Sequence, residues 1–117
     1  SMAADLSILA IRALIAEQLP VRYPKVEQIA RRLGVPVRTL QRRLEQTGLT
    51  YSGLVEETRF CLARRLLAQP DAHVAEVAKL LGYRDPSSFS RAFRRWTGDP
   101  PRAYCRHATS SKWMPGG

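Results

Sequence analysis

The sequence predicts an all-α chain: two helix-turn-helix subdomains joined by a long linking helix, about seven helices in all. Three observations carry that expectation. The stretch 77–98, VAKLLGYRDPSSFSRAFRRWTG, reads as a short helix, a tight turn and a second helix. The same pattern stands once more upstream, over residues 26–48. Between the copies, residues 50–68 read as one long helix.

In chain order, residues 1–20 hold an N-terminal helix, 21–49 the first unit and 50–69 the linking helix. Residues 70–107 hold the second unit with a closing helix, and 108–117 form a small, polar tail. Ser1-Met2 reads as an expression scar and is set aside. In the first helix, Leu6, Leu9, Ile11, Leu14, Ile15 and Leu19 supply a helical apolar pattern. Asp5 or Ser7 can start it, and Pro20 stops it.

The next helix, Val26–Leu33, turns Val26, Ile29, Ala30 and Leu33 inward and ends at Gly34. Pro36 opens the helix Pro36–Thr47, with Leu40 and Leu44 inward and Arg38, Gln41, Arg42 and Glu45 outward; Gly48 closes the unit. Thr50 can cap the linking helix, whose apolar side is Leu54, Val55, Thr58, Leu62, Leu66 and Leu67, with Cys61 and Ala63 nearby. It is roughly 25 Å long. In the second unit Val77, Ala78 and Leu81 form the inner face of the leading helix, and Gly82 ends it. Asp85 caps the following helix with Pro86 at its first position, and Phe89, Phe93 and Trp96 form its buried stripe. Ser87, Ser90, Arg91 and Arg94 then lie opposite that stripe. Asp99-Pro100-Pro101 stops the helix, and Arg102–His107 forms a last short one.

The two units are an internal repeat. Ile29-Ala30-x-x-Leu33-Gly34 matches Val77-Ala78-x-x-Leu81-Gly82, Leu40 and Leu44 match Phe89 and Phe93, and Thr47-Gly48 matches Thr97-Gly98. The second copy carries one more residue in its turn and one more before its closing glycine. Aligned on Leu40 and Phe89, Arg38 corresponds to Ser87, Gln41 to Ser90, Arg42 to Arg91 and Glu45 to Arg94.

The formal net charge is +9, carried mostly by arginine, which favours a polyanionic partner. Cys61 and Cys105 have no metal-ligand spacing, and two free thiols in a reducing cytoplasm are expected. No stretch is long and apolar enough to span a membrane. His73 and His107 have no Cys, carboxylate or Ser at a catalytic spacing, and there is no glycine-rich phosphate loop. No enzyme activity, cofactor or metal is therefore expected.

A helix anchored by apolar residues behind and presenting Arg, Gln and Ser in front suits a DNA major groove. Two unlike outer faces predict a non-palindromic double-stranded site, with successive grooves about 34–36 Å apart. A sequence-tolerant basic nucleic-acid packer would share the charge without needing matched outer faces. A basic membrane-surface helix would need exposed aromatics on a continuous amphipathic run, whereas these aromatics belong to the core stripe. Glu56-Glu57 is the candidate contact for a protein partner such as RNA polymerase, against the plainer reading of a solvated helix start.

The run AEVAKLLGYRDPSSFSRAFRRWTGDPPRAY resembles the signature of the AraC/XylS transcription regulators, and VRTLQRRLEQTG resembles the first half of the same domain. The resemblance covers residues 25–106 and includes Arg59 and Arg65 of the linking helix and the ending from Gly98 to Tyr104. It implies a bacterial, cytoplasmic transcription factor with two recognition helices, 36–47 and 86–97, in successive major grooves. Many members carry an effector-sensing domain, so a cut-out DNA-binding domain is expected here. By matching position, the resemblance assigns base reading to Arg38, Gln41 and Arg42 in the first unit, and to Pro86, Ser87, Ser88 and Arg91 in the second; Pro86 cannot donate a hydrogen bond and is set aside. Ser90 joins them from the face reading, and Lys25, Thr39, Arg43, His73, Arg94 and Arg95 are the expected phosphate contacts. Three departures stand out. Pro36 replaces a common Ser, a cap whose loss costs about 1 kcal/mol. Lys25 and His73 stand where a capping Ser is common, and Cys105 stands where Arg is preferred.

Overall fold

The structure is a computed structural model that describes residues 6–105. Asp5, Arg106, His107, Trp113 and the 108–117 tail lie outside the described residues. Among the described residues the chain forms six α-helices and a closing 3₁₀ turn, with no strand. They are α1 (Ile8–Gln18), α2 (Val26–Leu33), α3 (Val37–Gln46), α4 (Tyr51–Leu67), α5 (Val74–Leu80), α6 (Pro86–Thr97) and the turn Pro101–Tyr104. The chain forms two compact units whose boundary falls within α4, between Arg59 and Phe60.

In the first unit, Ser7 starts α1 by accepting from the Ala10 N–H at 3.1 Å. Ile11, Ile15 and Leu19 follow at four-residue spacing and are fully buried, which stabilises by about 1.5–3 kcal/mol each. Leu9 departs from the expected pattern and is 75% exposed. At ~100° per residue it lies ~200° from Ile11, on the opposite face. Ile29 and Ala30 of α2 and Leu40 and Leu44 of α3 are buried, as are Leu54 and Val55 of α4. Leu33, expected inward, is only half-buried.

The start of α3 differs from expectation. Pro36 is not its first helical residue but its cap position, with an extended backbone and no side-chain hydrogen bond. Its carbonyl takes the Leu40 N–H at 3.2 Å, so the helix begins on backbone bonding alone. By contrast, Thr50 does cap α4, accepting from Gly53 N–H at 3.1 Å. The Tyr51 hydroxyl donates to the Pro24 carbonyl and ties the start of α4 to the segment before α2. Burial, with Tyr23 and Glu27 adding, pushes that phenol above its ordinary range.

The second unit has an aromatic core. Ala63, Leu67, Val77, Ala78, Leu81, Phe89, Phe93 and Cys105 form its buried cluster. Phe93 is the hub, with ring centroids 5.8 Å from Phe89, 6.0 Å from Trp96 and 4.8 Å from Tyr104. Trp96 is half-buried at the edge of this cluster rather than inside it. In the part of α4 that belongs to the second unit the buried positions are Ala63 and Leu67; Leu62 and Leu66 are half-buried, and Cys61 is exposed. Among the described residues the closing segment is a 3₁₀ turn, Pro101–Tyr104, where the sequence predicts a helix from Arg102; residues 106 and 107 of that expected helix lie outside the described residues. Cys105 ends it inside the core, where burial raises its thiol pKa against a small opposing effect of Arg102. The small Cys105 side chain packs into the core of the second unit.

Candidate nucleic-acid interface

The outer faces are positioned by two turns of one design. After α2, Gly34 N–H bonds to Arg31 O at 3.1 Å and Val35 N–H to Ala30 O at 3.0 Å. After α5, Gly82 N–H bonds to Lys79 O at 3.1 Å and Tyr83 N–H to Ala78 O at 3.0 Å. The bonds join matched positions of the repeat. Each turn needs a left-handed residue, and Gly34 and Gly82 stand there with φ of 74° and 84°.

The far ends of α3 and α6 are matched too. Thr47 Oγ1 donates to Leu44 O at 2.7 Å, and Thr97 Oγ1 donates to Phe93 O at 2.9 Å. Leu44 and Phe93 are partners in the repeat, but the reach is three residues in one and four in the other. The extra residue before the closing glycine is thus placed in the last turn of α6.

With those anchors inward, the opposite sides of α3 and α6 face out. Arg38, Gln41 and Arg42 are exposed on α3, with Glu45 beside them. No hydrogen bond or ion pair ties these three to another of the described residues, which leaves their donors available. On α6, Ser87, Arg91, Arg94 and Arg95 are exposed, while Ser88 and Ser90 are half-buried. Arg38, Gln41 and Arg42 thus share the exposed side of α3, and Ser87 and Arg91 that of α6, with Ser88 and Ser90 half-buried at its two flanks. Guanidinium and amide groups so presented can bond guanine and adenine edges in pairs.

The expected phosphate contacts are placed less uniformly. Lys25 and His73 are exposed at the starts of α2 and α5 and give no side-chain cap. Thr39 is half-buried on α3. Arg43 is half-buried, and its Nε donates to the Leu6 carbonyl at 2.9 Å. That guanidinium therefore anchors Leu6, the residue before the Ser7 cap of α1, and only part of it can serve a phosphate. Two further basic side chains have internal partners: Arg32 pairs with Glu17 at 3.0 Å and Arg12 with Glu57 at 2.7 Å. Arg59 of the linking helix lies over the Tyr23 ring, 5.5 Å from its centroid.

The residue that sequence reasoning undervalued is Asp85. It caps α6, accepting from the Ser88 N–H at 2.7 Å. Its carboxyl is held below the ordinary carboxylate range by that backbone bond first, then by the Ser88 hydroxyl, with Arg91 and Arg84 adding. The signal was in the sequence as an Asp-x-x-Ser-x-x-Arg spacing, read only as a cap.

Among the described residues no group of His, Cys, Asp and Glu comes together that could hold a metal ion. No helix among them is long and apolar enough to cross a membrane.

A family profile described as a helix-turn-helix domain matches residues 29–107. The chain is 44% identical over 86 residues to the HTH-type transcriptional regulator VirS of Mycobacterium tuberculosis, covering 74% of this chain and 25% of VirS. It is 41% identical over 93 residues to the ornithine utilization regulator of Pseudomonas aeruginosa, covering 80% of this chain and 27% of that protein. The chain thus spans about a quarter of the length of these curated relatives. Among solved structures, the DNA-binding domain of the global transcriptional factor AdpA, in complex with a target DNA, matches with a TM-score of 0.72 at 32% identity. That match covers 94% of this chain and 97% of the AdpA domain.

Proposed function

The chain belongs to the AraC-type helix-turn-helix family, and from that premise we propose that it binds double-stranded DNA sequence-specifically to regulate transcription. The observation that carries this is the pair of like-built turns, each presenting an outer helix face rich in exposed donors. The AdpA domain, solved on a target DNA, supports the same use of this fold here. In this reading α3 and α6 are recognition helices, each entering a major groove of a non-palindromic site. Arg42 and Arg91 bond guanine, Gln41 bonds adenine, and Arg38, Ser87 and Ser90 complete the base contacts. Lys25, Thr39, His73, Arg94 and Arg95 meet phosphate, and affinity comes largely from counterion release. A cytoplasmic regulator longer than this chain, with an effector-sensing domain and contact to RNA polymerase, is part of the same proposal.

The test is selection of the chain against random duplex DNA at moderate salt. One enriched asymmetric motif, bound at least 10³-fold more tightly than a scrambled duplex as is typical of specific binders, is the expected result. Binding that is equal on every duplex and collapses with salt would overturn specific recognition in favour of a sequence-tolerant nucleic-acid binder.

A further inference from the structure

Asp85, Ser88 and Arg91 stand at i, i+3 and i+6, in one row along the surface of α6. That row is already connected. Asp85 Oδ1 accepts the Ser88 N–H at 2.7 Å, which holds the Ser88 backbone beside the carboxylate. Ser88 Oγ in turn accepts from an Arg91 Nη2–H at 3.4 Å. The Ser88 hydroxyl therefore turns an oxygen lone pair toward the guanidinium. Asp85 supports the arrangement twice, by holding the Ser88 backbone and by lying near the Arg91 charge.

The first unit is an internal control. Its equivalent row is Pro36, Thr39 and Arg42. Thr39 keeps the hydroxyl, but Pro36 has no acceptor side chain. No hydrogen bond joins Thr39 to Arg42 among the described residues.

We propose that Ser88, held by Asp85, is a positioning residue for Arg91 and not itself a base reader, so that the second unit carries a pre-oriented guanidinium where the first carries a free one. This rests on α6 being a recognition helix. Its physical content is entropic. An arginine fixed before binding has less rotamer freedom to lose at the interface. The consequence is a two- to tenfold sharper preference at the base pair that Arg91 reads, roughly the value of one ordered side chain.

The test has two arms. In the DNA-free chain, nuclear magnetic relaxation of the arginine Nε–H groups compares Arg91 with Arg42 in the wild type, Ser88→Ala, Ser88→Thr and Asp85→Asn. Asp85→Asn keeps a good cap and removes the charge, so α6 stays folded. The expected result is an Arg91 more ordered than Arg42, loosened by Ser88→Ala and by Asp85→Asn and preserved by Ser88→Thr. An Arg91 as mobile as Arg42, or one indifferent to Ser88→Ala, overturns the proposal.

In the second arm, Ser88→Ala and Arg91→Ala are titrated on the selected duplex and its single-base variants. Ser88→Ala is expected to flatten the preference at the base pair that Arg91→Ala flattens, about two- to tenfold, with the salt slope unchanged. Flattening at a different base pair, or uniform weakening with a shallower salt slope, makes Ser88 a base or phosphate contact and overturns the proposal. If the wild type prefers no sequence at all, recognition itself fails, and the relaxation arm still decides whether Ser88 positions Arg91.

Discussion

In the first unit α3 turns Leu40 and Leu44 inward; in the second, α6 turns Phe89 and Phe93 inward at the same places. The glycine turns before these helices share their hydrogen bonds atom for atom, yet the two starts differ. Pro36 offers α3 no side-chain cap, whereas Asp85 caps α6 and reaches on through Ser88 to Arg91. The outer faces differ accordingly, with Arg38, Gln41, Arg42 and Glu45 against Ser87, Ser90, Arg91 and Arg94. The comparison teaches that backbone geometry here depends on a few glycines and inward apolar groups. The outer side chains and the cap are left free to diverge, as the proposed reading of two different half-sites would require.

Four predictions break or sharpen that comparison. Removing the inner anchors should have the largest effect. Phe93→Ala, which strips the hub of the aromatic cluster, should destabilise by about 3–5 kcal/mol, and Leu44→Ala by about 2–5 kcal/mol. Urea unfolding measures both. Hydrogen exchange should localise each loss to its own unit, and a loss spread evenly over both would break the view of separately built units.

Next come the outer arginines. Arg42→Ala and Arg91→Ala should each cost about 1–3 kcal/mol of base discrimination at one position, with stability within about 0.5 kcal/mol of wild type because both are exposed. Competition titration with single-base duplex variants reads the first number, and thermal melting the second.

The closing glycines should matter less and equally. A Cβ at Gly48 or Gly98 would meet nothing within 4 Å, so the φ of 77° or 84° is the whole penalty. Gly48→Ala and Gly98→Ala should therefore each destabilise by about 1–2 kcal/mol. A clear inequality between them would show that the matched ends are not equivalent.

The smallest effect concerns acid. The Asp85 carboxyl is held below its unfolded value by bonds that exist only in the folded chain, so its contribution is present above the ordinary value of about 3.9. It is lost as pH falls through the lower, folded value. Asp85→Asn should remove that dependence from α6. No counterpart is expected at α3, where Pro36 cannot titrate. Amide chemical shifts of Ser88 followed between pH 6 and 2 report it.

Much of this was legible in the sequence, for reasons the two units make plain. The bounds of α2 and α6 follow from local signals: a terminating glycine, a cap-proline pair and an inward stripe at helical spacing. The exposure of Arg38, Gln41, Arg42, Ser87, Arg91 and Arg94 follows from that stripe, because each lies across the helix from it. What was not legible depends on partners distant in sequence or on rotamers. Periodicity in α1 admits two apolar faces, and only packing decides that Leu9 is the exposed one. Arg43 reads as an outward cation until the Leu6 carbonyl, 37 residues away, takes its Nε. Asp85 announces a cap, but the onward bond to Arg91 depends on how the Ser88 hydroxyl is turned.

The most direct measurement of the central claim is a selection against random duplex DNA run in parallel on the wild type, Arg42→Ala and Arg91→Ala. The account predicts one asymmetric motif with two boxes about a helical turn apart, one blurred by Arg42→Ala and the other by Arg91→Ala. If both substitutions blur the same box, or neither alters the motif, the two outer faces are not separate reading heads and the account is contradicted.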